Sequence, residues 1–164
     1  MISIRPATRA EIPVISQLAW RIWPVVYPSI VPMEQITYML GWMYSAESLL
    51  QQMDEGCTFL LAFSDQEPVG FASWSRLESG EGRLHKLYVL ADRHGSGIGK
   101  SLLGEVVSSC QAAGCQHLEL NVNKRNPAVD FYIRNGFQHL RAEVIDIGQG
   151  YVMDDYVMAM KITP

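Results

Sequence analysis

Cysteine is sparse in this chain and stands in no working pattern. Cys57, Cys110 and Cys115 are odd in number and none lies in C-x-x-C spacing, which excludes a fully paired disulfide framework and fits reduced thiols in a reducing compartment. Cys115 and His117 flank one residue near Cys110, but two thiols and one imidazole around a turn fall short of a zinc set, so no metal is expected. Long apolar runs are missing too. Nothing approaches the ~20 residues of a membrane span, and no basic segment leads into an apolar stretch near the N-terminus. No membrane partner is expected, and a cytoplasmic location is. Positive charge is in deficit, with 13 Lys and Arg against 17 Asp and Glu for a net charge of −4. That argues against a nucleic-acid partner and permits a cationic substrate. No repeat or low-complexity tract interrupts the sequence, and 164 residues suit a single domain, 1–164, with a sizeable core.

What is present reads as a series of short elements. Ile2 and Ile4 alternate with polar neighbours, predicting an opening strand; Thr8 is placed to cap a helix carrying Ile12, Ile15, Leu18 and Ile22, which Pro24 should end. Residues 34–44 and 45–53 suggest two further helices. Residues 57–63 and 69–75 are apolar strands separated by the turn-like SDQEP, an antiparallel hairpin, and residues 79–82 form a second turn. A strand around Leu84, a glycine-rich loop with its helix, and a strand over 117–122 follow. A helix of nine residues opening at Pro127, capped by Asn126 and ended by Gly136, leads into two last strands, 137–147 and 151–162. The order is mixed α/β.

The segment LHKLYVLADRHGSGIGKS, Leu84 to Ser101, carries the most chemistry. Gly95, Gly97 and Gly99 lack the Cβ atoms that would hold a ligand off the main chain, and they permit positive φ. Ile98, Leu102, Leu103, Val106, Val107 and Cys110 then recur at helical spacing, so a helix N-terminus points its free N–H groups at the same place. Such a junction holds phosphate. A dinucleotide fingerprint fails because Lys100 or Leu102 stands where the third glycine belongs. A nucleoside triphosphatase loop matches Gly99, Lys100 and Ser101 but has His94 in place of its first glycine, and the next strand ends in Asn121 and Asn123 rather than a magnesium-binding aspartate.

A third pattern, Q/R-x-x-G-x-G/A, is the acetyl-CoA pyrophosphate loop of the GNAT N-acetyltransferase superfamily, and His94, Gly95, Ser96, Gly97, Ile98 and Gly99 resemble it closely. Only the first position departs, with His94 for glutamine or arginine. Downstream, NVNKRNPAVDFYIRNGF, Asn121 to Phe137, is similar to the family's second cofactor segment, N-x-x-N-x-x-A-x-x-F-Y-x-x-x-G-F. Asn123, Asn126, Phe131, Tyr132, Gly136 and Phe137 are in place, while Ala128 sits one residue nearer Asn126 than the pattern asks. The resemblance covers nearly the whole chain. It implies a mixed, mostly antiparallel central sheet with flanking helices and a splayed strand pair.

It also implies an activity, transfer of an acetyl group from acetyl-CoA to an amine by direct attack in a ternary complex. In that fold the strand bearing Leu87, Tyr88 and Val89 diverges from the 117–122 strand, and the pantetheine arm pairs with it. A main-chain N–H near Leu87 would polarise the thioester carbonyl. Asn121, Asn126 and Lys100 join the cofactor set. Tyr132 is the expected proton donor to the departing thiolate, since a phenol with pKa near ~10 is protonated at neutral pH. His85 or Glu81, on one side of an alternating strand, could take the amine's proton directly or through water. Lys124 and Arg125 are further candidates for the nucleotide phosphates, or are simply solvated. The segment from Trp20 to Ser45, with Trp23, Tyr27, Glu34, Tyr38, Met39, Trp42 and Tyr44, falls in the family's acceptor-facing region. EQITYMLGWMYS and GYVMDDYVMAMKI resemble the PaiA-like polyamine acetyltransferases, putting small polyamine-like substrates ahead of protein N-termini and aminoglycosides. Asp154 and Asp155 could attract a polyamine or merely solvate a hairpin turn. The last strand and the Trp42 region could support a homodimer. A coenzyme A-binding sensor without catalysis is the rival reading.

Overall fold

The computed structural model describes residues 1–163. A seven-stranded sheet runs through it: β1 (Ile2–Pro6), β2 (Thr58–Ser64), β3 (Glu67–Arg76), β4 (Gly82–Val89), β5 (His117–Asn123), β6 (Gln138–Gly148) and β7 (Tyr151–Lys161), in the order β1-β2-β3-β4-β5-β7-β6. All neighbours are antiparallel except β4 and β5. Five helices flank it: α1 (Ile12–Val26), α2 (Met33–Met43), α3 (Ala46–Asp54), α4 (Ile98–Ala112) and α5 (Ala128–Arg134). The mixed α/β order read from the sequence is the order observed. Among the described residues no helix is long and apolar enough to cross a membrane.

Local chemistry accounts for most element boundaries. Asp65 and Gln66 both take positive φ, 49° and 73°, the backbone a two-residue hairpin turn requires between right-twisted strands. Ser45 caps α3, its hydroxyl accepting from the Ser48 N–H at 3.1 Å. Thr8 precedes a single 3-10 turn rather than α1 itself, and Glu11 reaches back to accept from the Thr8 N–H at 3.0 Å.

Two sequence-based boundaries move. Pro24 does not end α1, which continues to Val26. A proline so close to the helix end forfeits little of the hydrogen-bond ladder, and the Tyr27 N–H still reaches the Trp23 carbonyl at 3.0 Å. The helix after Pro127 has seven residues, Ala128–Arg134, because Pro127 and Asn135 occupy half-helical flanking positions.

The sheet carries its core on two faces. Gly70 and Gly82 let α4 close on one of them: a Cβ on Gly82 would stand 2.9 Å from the Cys110 sulfur, and one on Gly70 would stand 2.9 Å from the Tyr88 carbonyl and 3.4 Å from Leu102. On the opposite face Phe71 meets Tyr44 edge-on at 6.0 Å, with α1 behind.

The strand pair that matters most is β4 and β5. It holds for three rungs, Gly82 with Leu118, Arg83 with Glu119 and Leu84 with Leu120, and then stops. Directly after the last rung, the β3–β4 register jumps from Trp74 opposite Leu84 to Ser73 opposite Lys86. His85 is therefore an extra residue with no opposite number, a β-bulge. Bulges bend the strand that carries them and increase its twist, so β4 turns out of the plane that β5 keeps through its full pairing with β7.

Gly70→Ala should lower stability by about 1–3 kcal/mol, since the new methyl meets a backbone carbonyl that cannot swing aside. Gly41→Ala, where nothing lies within 4 Å, serves as the neutral or stabilising control. Thermal denaturation of the two variants reads the difference, and equal melting temperatures would refute the packing account.

Candidate active site

Where β4 leaves β5 a cleft of about 650 Å³ opens, lined from both strands, α1, α2, the glycine loop and α5. One end is a backbone cradle. Gly95 and Gly97 take φ of 82° and 84°, values that any Cβ-bearing residue resists. The Ser101 N–H donates to the Gly97 carbonyl at 3.0 Å as the first bond of α4, which leaves the N–H groups of Ile98, Gly99 and Lys100 without partners inside the helix. Gly99 has an ordinary φ. It lets the helix pass close to the Phe131 ring, 3.6 Å from where a Cβ would stand. A cradle of free N–H groups at a helix N-terminus fits a pyrophosphate.

His94, the residue that departs from the family pattern, turns inward. Its Nε2 lies 2.9 Å from the Val89 carbonyl; a carbonyl only accepts, so that nitrogen carries the proton, and the ring ties the loop to the end of β4. The Val89 carbonyl is engaged there, while Val89, Leu87 and Tyr88 all line the cleft. The Ser96 hydroxyl donates to the Arg93 carbonyl and closes the turn, and Ser96 does not line the cleft. Lys100 does. Lys124 is ion-paired with Asp154 at 3.0 Å, and Arg125 donates to the Ser29 carbonyl at 2.8 Å and the Ile30 carbonyl at 3.1 Å.

Tyr132 sits on the inner side of α5, buried and lining the cleft between Phe131 and Phe137. Burial, with the nearby Tyr27 phenol, pushes its pKa above the ordinary value, so the group stays protonated. Among the described residues its hydroxyl has no protein hydrogen-bond partner. The Asn126 side chain accepts from the Ala128 N–H at 2.9 Å in a local turn just ahead of α5, whose N-cap position is held by Pro127, and donates to the Tyr27 hydroxyl at 3.4 Å, which lies 3.1 Å from that of Tyr88.

The two candidate bases part company. Glu81 precedes β4 at its paired end, 3.1 Å from Nδ1 of His117, and is not among the cleft-lining residues. His85, the bulge residue, lines the cleft with Nε2 2.7 Å from the Ser75 hydroxyl. Its side chain is exposed to solvent at the cleft surface; the partial desolvation it undergoes, then the charges of Lys86 and Arg83, lower its pKa toward about 4. Its neighbour Lys86 is buried, donating to Gln52 at 2.7 Å, and desolvation lowers its pKa to about 8.

Of the large side chains between Trp20 and Ser45, Trp23, Tyr27, Met39 and Tyr44 line the cleft. Trp20 and Trp42 are about half exposed, and Tyr38 stacks on Trp42 while donating to the Ile147 carbonyl at 2.7 Å. Glu34 also stays outside. Neither Asp154 nor Asp155 belongs to the hairpin turn, which is Gln149 and Gly150; both are strand residues of β7. Strand alternation sends them opposite ways: Asp154 outward to Lys124, Asp155 into the cleft wall, where Oδ2 accepts from the Asn121 amide at 3.3 Å. Asn121 in turn accepts from Arg83 and donates weakly to Glu143 at 3.4 Å. Arg83 and Gln35 line the cleft without having been foreseen. Gln35 donates to the Val152 carbonyl at 3.1 Å, joining α2 to β7, and no local motif marks a contact between positions so distant in sequence.

Residues 33–153 match a family model described as an acetyltransferase (GNAT) domain. A spermidine N(1)-acetyltransferase of Thermoplasma acidophilum is 28% identical over 143 residues, covering 84% of this chain and 88% of that one. An aminoglycoside N(6')-acetyltransferase type 1 of Stenotrophomonas maltophilia is 34% identical over 125 residues, 71% of this chain and 72% of that one. The crystal structure of PaiA N-acetyltransferase from T. acidophilum in complex with coenzyme A superposes with a TM-score of 0.83 at 26% identity, over 98% of this chain and 99% of that one. Matched to the family model across its central 33–153 stretch and superposable almost end to end on a coenzyme A complex, the chain belongs to the GNAT family of acetyl-CoA-dependent N-acetyltransferases.

Proposed function

We propose that the protein acetylates a primary amine of a small polyamine-like molecule, the amine attacking the thioester directly. The observation that carries this reading is the opening of β4 away from β5 beside an anion cradle, with the protonated phenol of Tyr132 in the same cleft. In this reading the N–H groups after Gly95 and Gly97 receive the pyrophosphate, with Lys100 beside them. The free edge of β4 over Leu87, Tyr88 and Val89 takes the pantetheine arm as an added strand. Acetyl-CoA supplies the activated acyl group; a Leu87 N–H facing the gap stabilises the charge that develops on the carbonyl oxygen, worth about 3 kcal/mol in comparable sites. Asn126 holds α5, and so Tyr132, at the cleft.

Tyr132 gives its proton to the sulfur as the carbon–sulfur bond breaks. His85 is already unprotonated at neutral pH, so it can accept a hydrogen bond from the amine or from an intervening water. Its low basicity makes it a weak base. Glu81, at the far end of the strand, has no such access. The small-amine preference rests on the spermidine acetyltransferase relative and on the aromatic wall of Trp23, Tyr27 and Tyr88. The aminoglycoside acetyltransferase relative makes amino sugars the second class to test.

Free-thiol release from acetyl-CoA with a panel of polyamines, amino sugars and peptides tests the activity. Absence of turnover alongside acetyl-CoA binding would favour a sensor instead. Tyr132→Phe should lower kcat by about a hundredfold while leaving acetyl-CoA affinity intact; undiminished turnover would remove Tyr132 from the chemistry. Gly97→Ala should weaken acetyl-CoA binding about tenfold, in line with the roughly 1–2 kcal/mol that a Cβ costs in the left-handed region. For pH, His85 loses its proton near 4, so log kcat/KM should climb smoothly toward the amine's own pKa of about 10. An inflection near 6.5 that disappears in His85→Gln would overturn that assignment.

A further inference from the structure

We propose that Asp155 is the anchor for a second cation, its carboxylate receiving the distal ammonium of a diamine or longer polyamine while the near amine is acetylated. This rests on the amine-transfer reading above and adds what selects the amine. Asp155 is 1% exposed, and its Oδ1 is buried with no hydrogen-bond partner among the described residues. An unpartnered buried carboxylate oxygen is costly to keep, and this one lies in the wall of the substrate cleft.

The surrounding charges leave it available. Asp154 is taken by Lys124 and Glu143 by Arg141, each at 3.0 Å. Arg83 spends its contact on the Asn121 carbonyl oxygen and forms no ion pair with Asp155 among the described residues. The Tyr27 hydroxyl is engaged with Tyr88 and Asn126. Between Asp155 and β4 the wall is aromatic and apolar: Trp23 stands 4.6 Å from Tyr27 and 5.6 Å from Tyr88 between ring centroids. Such faces accept an aliphatic ammonium chain and repel an anionic one. Met39, Met43 and Met153 line the same space with side chains that re-pack at small cost.

Sheet register gives the span. Asp155 is opposite Asn123, three residues past the last β4–β5 rung, and Leu87 is three residues past the same rung on β4. Because His85 is an extra residue, Leu87 stands only two rungs past Leu84, about one residue short of the level of Asp155, and the two are separated by two strand spacings, roughly 10 Å, widened by the splay. A chain of several methylenes between two ammonium groups fits that geometry.

The test compares kcat/KM for putrescine, cadaverine and spermidine with n-pentylamine and n-hexylamine, in which a methyl replaces the distal ammonium. The wild-type protein should prefer the diamines by about tenfold or more, and Asp155→Asn should abolish the preference through KM. A role confined to holding Asn121 predicts a loss of stability in Asp155→Asn. A substrate anchor predicts the reverse. Burial raises the Asp155 pKa, so the ionised carboxylate destabilises the fold at neutral pH, and Asp155→Asn should melt higher. That advantage should shrink as pH falls through the raised pKa toward the unfolded value of about 3.9. Equal turnover of diamines and monoamines by the wild-type protein overturns the proposal and leaves amine transfer standing. So does a lower melting temperature for Asp155→Asn with its diamine preference intact. No thiol release from any amine overturns both readings.

Discussion

Everything at the site depends on β4 and β5 parting after three rungs. A parallel pair that stayed zipped would satisfy its own main-chain groups and leave no edge for a ligand. Here β5 is secured on its other side by seven positions of pairing with β7, and β4 is secured by β3, so each strand is stable without the other beyond Leu84 and Leu120. The gap is then lined rather than collapsed. α4 covers one face through the close approach at Gly70 and Gly82, α1 and α2 wall the other, and α5 brings Tyr132 to its mouth.

The electrostatics divide along the same line. At the loop end the donors are main-chain N–H groups and Lys100, suited to phosphate. At the β7 end the unpaired group is a carboxylate. Between them burial holds the phenols of Tyr27, Tyr88 and Tyr132 protonated, and His85 is held unprotonated beside the cationic Lys86 and Arg83. Such a site favours attack by a neutral amine with proton donors already in place.

The glycine-loop side of this cleft was legible in the sequence because its signals are local. Positive φ at Gly95 and Gly97, a helix start at Ile98 and a helix following Pro127 are all properties of a few consecutive residues; Asn126, read as the cap, stands one residue too early and Pro127 takes that position. The acceptor side was not. Which of Asp154 and Asp155 faces inward follows from the register of β7 against β5, and Gln35 reaches Val152 across a long sequence separation. Pro24 was a local signal that misled, since its effect depends on how close it lies to the helix end. Glu81 shares strand parity with His85, but parity says nothing of distance along the strand, and it stands beside the paired end of β4, off the cleft lining.

The bulge at His85 has a genetic side. The opening between the strands follows from a difference of one residue between the lengths of β3 and β4 that face each other, Trp74 to Ser73 against Leu84 to Lys86. Substitution at position 85 changes a side chain and leaves that count as it is. Removing a single codon there would restore even pairing, leave Lys86 and the residues after it opposite their present partners on β3, and take away the bend that opens the cleft.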